Sequence, residues 1–321
     1  MKVVLIVPYF GALPNYFQIF LDSCKENPKF DWIVFTDDET EYDYPPNVHR
    51  IQMSFSACRE MIQSSFDFEV TLTRPQKLCD YKCAYGYIFR EYLTGYDWWG
   101  HCDLDQIFGN LSNFITEEML GSYDKIGSLG HLSLYRNTPE NNRIFMTTNR
   151  YCEVFSTERG CGFDEWIPGN INEIFLHSNQ SVMLENYGAD VNAYCTTFEL
   201  VHYNVEMRQY EFDNIRNNIF SWQDGKIFRF WKANGHINIQ EYPYVHLQKR
   251  RMRDHRCDVN STQFYIIPNE FTDFTTDIVQ LLRRSQRHGI INSQWFCVKW
   301  NALKYRVKNN DWEFINVFSK R

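Results

Sequence analysis

The first 36 residues carry the strongest constraint on the fold. Lys2–Pro8 and Asp31–Thr36 are apolar runs of strand length, and Asn15–Glu26 between them has apolar residues at helical spacing. Strand, helix and strand in this order predict a parallel βαβ unit. Because such sheets bind ligands beyond the carboxyl ends of their strands, Tyr9 and Asp37 become candidate ligand-binding residues.

A third apolar run lies between Gly95 and Gly109 and ends in two acids, Asp103 and Asp105. Carboxylates at the end of a buried strand are costly unless a cation meets them. A hard divalent cation takes oxygen ligands, so an Asp-x-Asp pair together with a bound diphosphate could complete its coordination shell. The alternative is a strand that ends in two solvated acids.

His246 ends a short predicted strand, Tyr242–His246, and basic residues follow it. A neutral imidazole is a good ligand for Mn²⁺ beside two carboxylates. The basic side chains could hold a diphosphate and stabilise it as it leaves. These basic residues are Lys249, Arg250, Arg251 and Arg253. The alternative is a histidine at a strand end beside a solvated basic face.

Asp164 and Glu165 follow a glycine-containing turn, Gly160–Gly162, between two predicted helices. A carboxylate in this place could take a proton from an acceptor hydroxyl as a general base, and Asp164 is the preferred candidate. Acids at the start of a helix also stabilise its dipole without any catalytic role.

The pattern of residues 74–93 predicts a helix with Pro75 in its first turn. Lys77 and Asp80 share one face of this helix at i, i+3 spacing. They could form an ordinary surface pair. They could instead line a nucleotide crevice, with Lys77 near phosphate and Asp80 near a sugar hydroxyl.

Charge and missing motifs exclude several classes of protein. The net charge of −7 argues against a general nucleic-acid binder. No Gly-x-Gly-x-x-Gly, Gly-x-x-x-x-Gly-Lys-Ser/Thr or Gly-x-Ser-x-Gly motif occurs, so dinucleotide-binding, P-loop and hydrolase-elbow interpretations lack their characteristic loops.

The basic residues are concentrated at the C-terminal end. Residues 249–321 carry 14 Lys and Arg against 7 Asp and Glu, a balance of +7, which leaves −14 for the rest of the chain. This end mixes aromatic and basic residues, so it could meet the phosphate of a ligand or lie on an anionic membrane. The alternative is a C-terminal helix packed on the body of the protein.

The cysteine pattern and the apolar runs bear on location. Ten cysteines without a Cys-x-x-Cys motif favour reduced thiols. The apolar start is shorter than a signal peptide, and no apolar run is long enough to span a membrane. We therefore expect a cytoplasmic protein, with a peripheral contact at the inner face of the cell membrane as an open possibility.

Taken together, the two strand ends, the Arg74–Lys82 segment, the Asp-x-Asp strand and the His246 element resemble GT-A-fold nucleotide-sugar glycosyltransferases of bacterial capsule and O-antigen clusters. The resemblance covers residues 1–250. It implies an α/β, Rossmann-like fold with a mixed, mostly parallel sheet flanked by helices. We expect a catalytic domain over residues 1–255 and a basic, helical C-terminal extension over residues 256–321.

The resemblance also implies an activity and roles for single residues. The expected reaction moves a hexose from a UDP-sugar to a saccharide acceptor. Galactose and galactofuranose are the leading choices for the hexose, and a lipid-linked saccharide is one candidate for the acceptor. Mn²⁺ or Mg²⁺ would be held by Asp103, Asp105 and His246, and Tyr9 and Asp37 would hold the nucleobase and ribose. Lys77, Asp80 and Lys249 complete the expected nucleotide-binding set, and Asp164 or Glu165 would be the base of an inverting enzyme. A retaining transferase and a non-catalytic sugar-binding protein are the alternatives.

Overall fold

The computed structural model describes residues 1–165, 167–193, 195–204, 207, 209–248, 250–275, 277–286, 296, 299–300 and 303–304. The chain divides into two compact units. Unit 1 comprises Met1–Leu104 and Leu111–Asn186, and unit 2 comprises Asp105–Asn110 and the chain from Tyr187 onward. Each unit is therefore assembled from two separate stretches of the sequence.

The described residues contain strands and helices of both units. The strands are β1 Val3–Pro8, β2 Phe30–Thr36, β3 Val48–Gln52, β4 Trp98–Cys102, β5 Gln106–Phe108, β6 Lys125–Leu129, β7 Leu132–Arg136, β8 Val182–Met183, β9 Ala189–Asp190, β10 Val201–Asn204, β11 Gln209–Phe212, β12 Asn218–Gln223, β13 Lys226–Ala233, β14 His236–Tyr242, β15 Tyr244–His246, β16 Arg253–His255, β17 Gln263–Ile267 and β18 Glu270–Asp273. The α-helices are α1 Phe17–Lys25, α2 Phe55–Ser64, α3 Tyr85–Ile88, α4 Glu117–Ser122, α5 Pro139–Arg143, α6 Arg150–Phe155, α7 Ile171–Leu176 and α8 Ile278–Gln286.

Unit 1 is built on a seven-stranded sheet in the order β3-β2-β1-β4-β7-β6-β8. Neighbouring strands run parallel except at β4–β7 and β7–β6. The sheet is thus mixed and mostly parallel, and helices pack on it. This confirms the predicted α/β fold class, including the βαβ opening formed by β1, α1 and β2. The carboxyl ends of β1, β2 and β4 meet at one edge of the sheet.

The core of unit 1 is strongly aromatic. Trp99 of β4 stacks on Tyr135 of β7 with ring centroids 4.4 Å apart, and its Nε1 donates to Asn142. Tyr81 stacks on Phe155 at 4.1 Å. Large stacked rings bury much apolar area, so the high aromatic content of the chain contributes mainly to the core.

Several helices differ from their predicted bounds. Residues Pro75–Ala84 form a 3-10 helix, followed by the short α3, where a single α-helix was predicted. The pattern of Leu111–Leu120 predicts a helix with Ser112 as its cap, whereas α4 begins after Thr116, whose side chain accepts a hydrogen bond from the Met119 amide. The pattern of Ile171–Asn186 also predicts a helix, but α7 ends at Leu176 and the chain continues into β8.

Unit 2 consists mainly of antiparallel sheet. Six strands form a sheet in the order β14-β13-β12-β17-β18-β16, and a three-stranded sheet has the order β5-β15-β9. Helix α8 buries Leu281 and Leu282 in a cluster with Ile219, Phe230 and Tyr265. In this region the sequence pattern predicts the strand around His246 and a helix that begins at Leu281, whereas the other strands are not predicted.

The predicted boundary at residue 255 lies inside unit 2, between β16 and β17. The predicted helical extension begins with the strands β17 and β18, which continue the six-stranded sheet, and only then forms α8. Most of the C-terminal stretch that mixes aromatic and basic residues lies outside the described residues, including Trp295, Val298 and Arg306. Among the described residues, no helix combines the length and the apolar composition needed to cross a bilayer.

Candidate functional site

The loop after β1 is tied to the end of β2. Asp37 Oδ1 accepts the Gly11 amide at 2.7 Å, and the neighbouring Asp38 accepts the Leu13 amide at 3.2 Å. The Tyr9 hydroxyl donates to the Ala12 carbonyl oxygen at 3.3 Å. The structure therefore brings Tyr9 and Asp37 together at the carboxyl edge of the unit 1 sheet, where both were predicted.

Lys77 and Asp80 form a fully buried ion pair, so neither is a surface residue. Their side chains are 1% and 2% exposed, and Lys77 Nζ lies 2.7 Å from Asp80. The same ammonium donates to the carbonyl oxygens of Val154 and Arg159, which uses its three hydrogens. Asp80 accepts the amides of residues 161–163. The pair thus organises the segment that leads to Asp164.

Asp164 and Glu165 lie in the turn between α6 and α7. Glu165 Oε1 accepts the Gly130 amide at 2.7 Å, whereas Asp164 is 5% exposed. Burial, reinforced by the charge of Glu165, raises the pKa of Asp164 well above its usual value, and Lys82 opposes this. Its surroundings therefore favour the protonated form of this carboxyl group more than water does.

Asp103 follows β4, the middle strand of the unit 1 sheet. Its Oδ1 lies 2.7 Å from Lys82 Nζ, and the same ammonium donates to the Gly130 carbonyl oxygen at 2.8 Å. Burial by itself lowers the pKa of Lys82, but the carboxylate of Asp103 outweighs it and raises the pKa well above its usual value. The Lys82 ammonium therefore stays charged.

In unit 2, Asp105 immediately precedes β5, and His246 ends the adjacent strand β15. Residues Gln106 and His246 are paired in the antiparallel ladder, and the Leu247 amide donates to the Asp105 carbonyl oxygen at 2.7 Å. This pairing places Asp105 Oδ1 at 3.1 Å from His246 Nε2. On the other side of the ring, Asp190 Oδ1 lies 2.8 Å from His246 Nδ1, and Gln248 donates to that oxygen at 2.6 Å.

An imidazole between two carboxylates needs a positive charge. If Nδ1 donates its hydrogen to Asp190, the lone pair of a neutral ring at Nε2 faces a carboxylate oxygen of Asp105. The contact becomes favourable when Nε2 is protonated or when a cation lies between the two groups. Burial alone lowers the pKa of His246, but Asp105 and Asp190 outweigh it and raise the pKa well above its usual value. A carboxylate on the far nitrogen is also the usual support of a metal-binding histidine, so these residues fit a divalent cation.

Two of the four basic residues after His246, Arg250 and Arg253, contact other protein groups, which corrects the prediction that these two hold a diphosphate. Arg250 is 2% exposed, and its guanidinium donates to the carbonyl oxygens of residues 192, 196 and 197. Arg253 pairs with Glu270 at 2.6 Å. Arg251 is exposed, and Lys249 lies outside the described residues.

Residues 5–275 match a family model described as a family of unknown function, DUF6625. The match covers most of the chain. The chain belongs to this family.

No curated protein matches the DUF6625 chain. Among solved structures it is similar to the galactosyltransferase LgtC in complex with donor and acceptor sugar analogues, at 12% identity and a TM-score of 0.35, over 60% of this chain and 77% of the other. A structure of an active-site mutant of LgtC is similar at 11% identity and a TM-score of 0.35, over 60% and 76% of the two chains.

Three residues that contact candidate site residues were not found from the sequence: Lys82 and Gly130 in unit 1, and Asp190 in unit 2. Lys82 ends the Arg74–Lys82 segment, whose pattern indicates no role for it, and the pattern of Tyr123–Tyr135 marks Gly130 only as a break in a pair of strands. Asp190 contacts His246, which lies 56 positions later in the chain, and no local sequence pattern predicts such a contact. Periodicity identifies elements, whereas these contacts depend on which elements become neighbours.

Proposed function

We propose that this protein is a metal-dependent glycosyltransferase that moves a hexose from a UDP-sugar to a saccharide acceptor. The Asp105–His246 pair in unit 2, with Asp190 on the far ring nitrogen, is the observation that carries the metal assignment. Asp103 completes the proposed ligand set on the basis of the Asp-x-Asp motif alone. A bound Mn²⁺ or Mg²⁺ would supply positive charge to the diphosphate as it leaves.

The residues of unit 1 support the binding and proton-transfer parts of the proposal. Tyr9 and Asp37 lie at the carboxyl ends of parallel strands, the usual place of a nucleotide in such sheets. Asp164 is buried and has a raised pKa, as expected of a carboxylate that takes a proton from an acceptor hydroxyl. A base acting directly on the acceptor favours inversion at the anomeric carbon.

Lys77 and Asp80 have a different role in this proposal from the one predicted. Because Lys77 Nζ already makes three contacts with protein groups, it does not bind phosphate. The pair instead holds the segment before Asp164. The choice of galactose or galactofuranose and a lipid-linked acceptor at the membrane remain predictions from the sequence.

Binding of UDP with and without Mn²⁺ tests the metal assignment. Wild-type protein should bind UDP at least roughly tenfold more tightly with Mn²⁺, about 1.4 kcal/mol by calorimetry. Asp105→Asn should lose this increment, because an amide is a weaker ligand than a carboxylate. The matched control is Asp224→Asn, also in unit 2, where an exposed aspartate accepts hydrogen bonds that an asparagine can also accept.

The reaction itself is tested by incubating the protein with a panel of UDP-hexoses and Mn²⁺. We expect slow, metal-dependent hydrolysis of one donor, and NMR of a product formed with an acceptor should show the inverted anomer. Equal UDP affinity with and without Mn²⁺, together with no donor hydrolysed, would contradict the proposal. A retained anomeric configuration would contradict only the role of Asp164.

A further inference from the structure

The peptide groups around Gly130 make contacts with three parts of unit 1. Gly130 begins the two-residue turn between β6 and β7. Its carbonyl oxygen accepts hydrogen bonds from Lys82 Nζ at 2.8 Å and from His101 Nδ1 at 2.9 Å. Its amide donates to Glu165 Oε1 at 2.7 Å. Both hydrogen-bonding groups of this residue are therefore used. The carbonyl oxygen binds Lys82, which contacts Asp103, and the amide binds Glu165, which is next to Asp164.

Glycine is required at this position by the carboxylates packed against it. A Cβ added to Gly130 would overlap Asp164 Oδ2 and would lie 2.8 Å from Glu165 Oε1. Both approaches are far closer than van der Waals contact. Any larger residue must displace the carboxylates of Asp164 and Glu165, although the backbone of Gly130 does not itself adopt a positive φ.

We propose that Gly130 is a positioning residue that couples Asp103 to the Asp164–Glu165 turn, with Lys82 as the link. The connection runs from Asp103 Oδ1 to Lys82 Nζ at 2.7 Å, from Lys82 to the Gly130 carbonyl, and from the Gly130 amide to Glu165. The catalytic meaning of this coupling rests on the proposed function. The coupling itself is a property of unit 1.

The coupling has an electrostatic consequence at Asp164. Burial, Glu165 and Asp80 favour its protonated form, whereas the charge of Lys82 favours the carboxylate. The buried ammonium of Lys125 also interacts with Asp164. Besides burial, the charge of Asp164 contributes to the raised pKa values of three neighbouring groups: Cys83, Tyr85 and Tyr135. Because Lys82 is held by both Asp103 and Gly130, the turn fixes the distance between this cation and Asp164.

Gly130→Ala tests the positioning role, and Gly160→Ala is its matched control. Gly160 lies in the segment that precedes Asp164, and a Cβ there meets nothing within 4 Å. We expect Gly130→Ala to lower turnover of the UDP-sugar by roughly tenfold or more, because the base is displaced. Its affinity for UDP with Mn²⁺ should stay within about twofold of wild type, because Lys82 still holds Asp103. Gly160→Ala should match wild type in both measurements.

Lys82→Met provides a test that needs neither metal nor activity. NMR of ¹³C-labelled aspartate carboxyl groups in the metal-free protein should show a higher pKa for Asp164 in Lys82→Met, and Lys82→Arg should restore the wild-type titration. This variant also decides the inference if Gly130→Ala fails to fold.

The possible results separate the inference from the proposed function. An unchanged titration of Asp164 in Lys82→Met, or a Gly130→Ala protein that turns over like Gly160→Ala, would overturn the inference. Wild-type protein that neither binds UDP with Mn²⁺ nor hydrolyses a donor would refute the proposed function. The NMR result would in that case still decide whether Lys82 is coupled to Asp164.

Discussion

Lys125 shows how far a single residue of unit 1 departs from ordinary burial. Lysine is almost never fully buried unless it is paired, yet this residue is 0% exposed. Its Nζ donates to the Gly127 carbonyl oxygen and lies 5.2 Å from the centroid of the Tyr135 ring. Burial lowers the pKa of Lys125 to about 7, against the opposing charges of Cys83 and Asp164. Near neutral pH the residue therefore changes its charge inside the core.

Lys125→Met should stabilise the protein in a pH-dependent way. The unfolded chain holds the lysine proton up to its ordinary pKa of 10.5, whereas the folded chain releases it near pH 7. The free energy of unfolding of the wild-type protein therefore rises between pH 7 and pH 10.5, because only the unfolded chain holds this proton there. Below pH 7 the folded protein carries the full destabilisation from the buried charge. The gain from methionine should be largest below pH 7 and shrink towards pH 10, which urea unfolding at several pH values can measure. A gain that does not vary with pH, or equals that of the exposed control Lys226→Met, would contradict this.

At the scale of residues, the sequence predicted the positions that a local pattern marks. Asp103 and Asp105 close an apolar run, and Asp37 follows another, so their places at strand ends were predictable. The partners of these residues were not predictable, because Lys82 reaches Asp103 across 21 residues and Asp190 reaches His246 across 56. Ion pairs of this kind depend on the order of strands in the sheets.

Among the elements, the 3-10 helix Pro75–Ala84 is the clearest departure from a local prediction. Apolar spacing favoured an α-helix, but the Lys77–Asp80 pair has i, i+3 spacing. In a 3-10 helix, residues three apart lie directly above one another, which aligns this pair. The buried carbonyl oxygens of Val154 and Arg159 then receive the remaining hydrogens of the ammonium. Tertiary contacts thus explain the element better than propensity does.

Asp80→Asn should strongly destabilise unit 1, because it leaves the buried ammonium of Lys77 without its carboxylate. Breaking one partner of a buried pair costs about 3–5 kcal/mol in unfolding free energy. The double variant Lys77→Met/Asp80→Asn should recover part of this loss, since it removes the unpaired charge. A double-mutant cycle measured by urea unfolding checks the expectation. Additive losses in the two single variants would show that the pair is not coupled.

The hairpins of unit 2 have a local sequence signal in their turns. Strands β12, β13 and β14 are joined by two-residue turns, Asp224–Gly225 and Asn234–Gly235, and all four residues have positive φ. Asp-Gly and Asn-Gly turns of this type are the strongest short-range indication of a β-hairpin. Three strands of the six-stranded sheet were therefore predictable from the sequence, whereas the joining of β17 to β12 was not.

At the scale of the whole molecule, unit 2 is discontinuous in sequence. Asp105–Asn110 belongs to unit 2, but the residues on both sides of it belong to unit 1. A domain boundary can be inferred from composition only where a long stretch of chain differs in charge or hydrophobicity from its neighbours. Strand β5 is far too short to show such a difference. The change of charge sign near residue 255 is real, yet it falls within one compact unit. The overall fold class was predictable because β1, α1, β2 and β4 are strongly patterned.

A fragment that begins at Tyr187 should fold poorly by itself. It lacks β5, so β15 loses its antiparallel partner, and Trp222 loses the Phe108 carbonyl oxygen to which its Nε1 donates at 2.9 Å. Joining residues 105–110 to the start of the fragment through a flexible linker should restore cooperative thermal unfolding. Equally sharp unfolding transitions in both fragments would show that β5 is dispensable.

The late arrival of β15 has a consequence for synthesis. Asp105 and His246 are 141 positions apart. Synthesis adds about 5–20 residues per second, so Tyr244–His246 is made roughly 7–28 s after Gln106–Phe108. During that time its amides and carbonyls form an open edge that could capture another nascent chain. The acid at its start, Asp105, gives the waiting edge a charge that disfavours such capture.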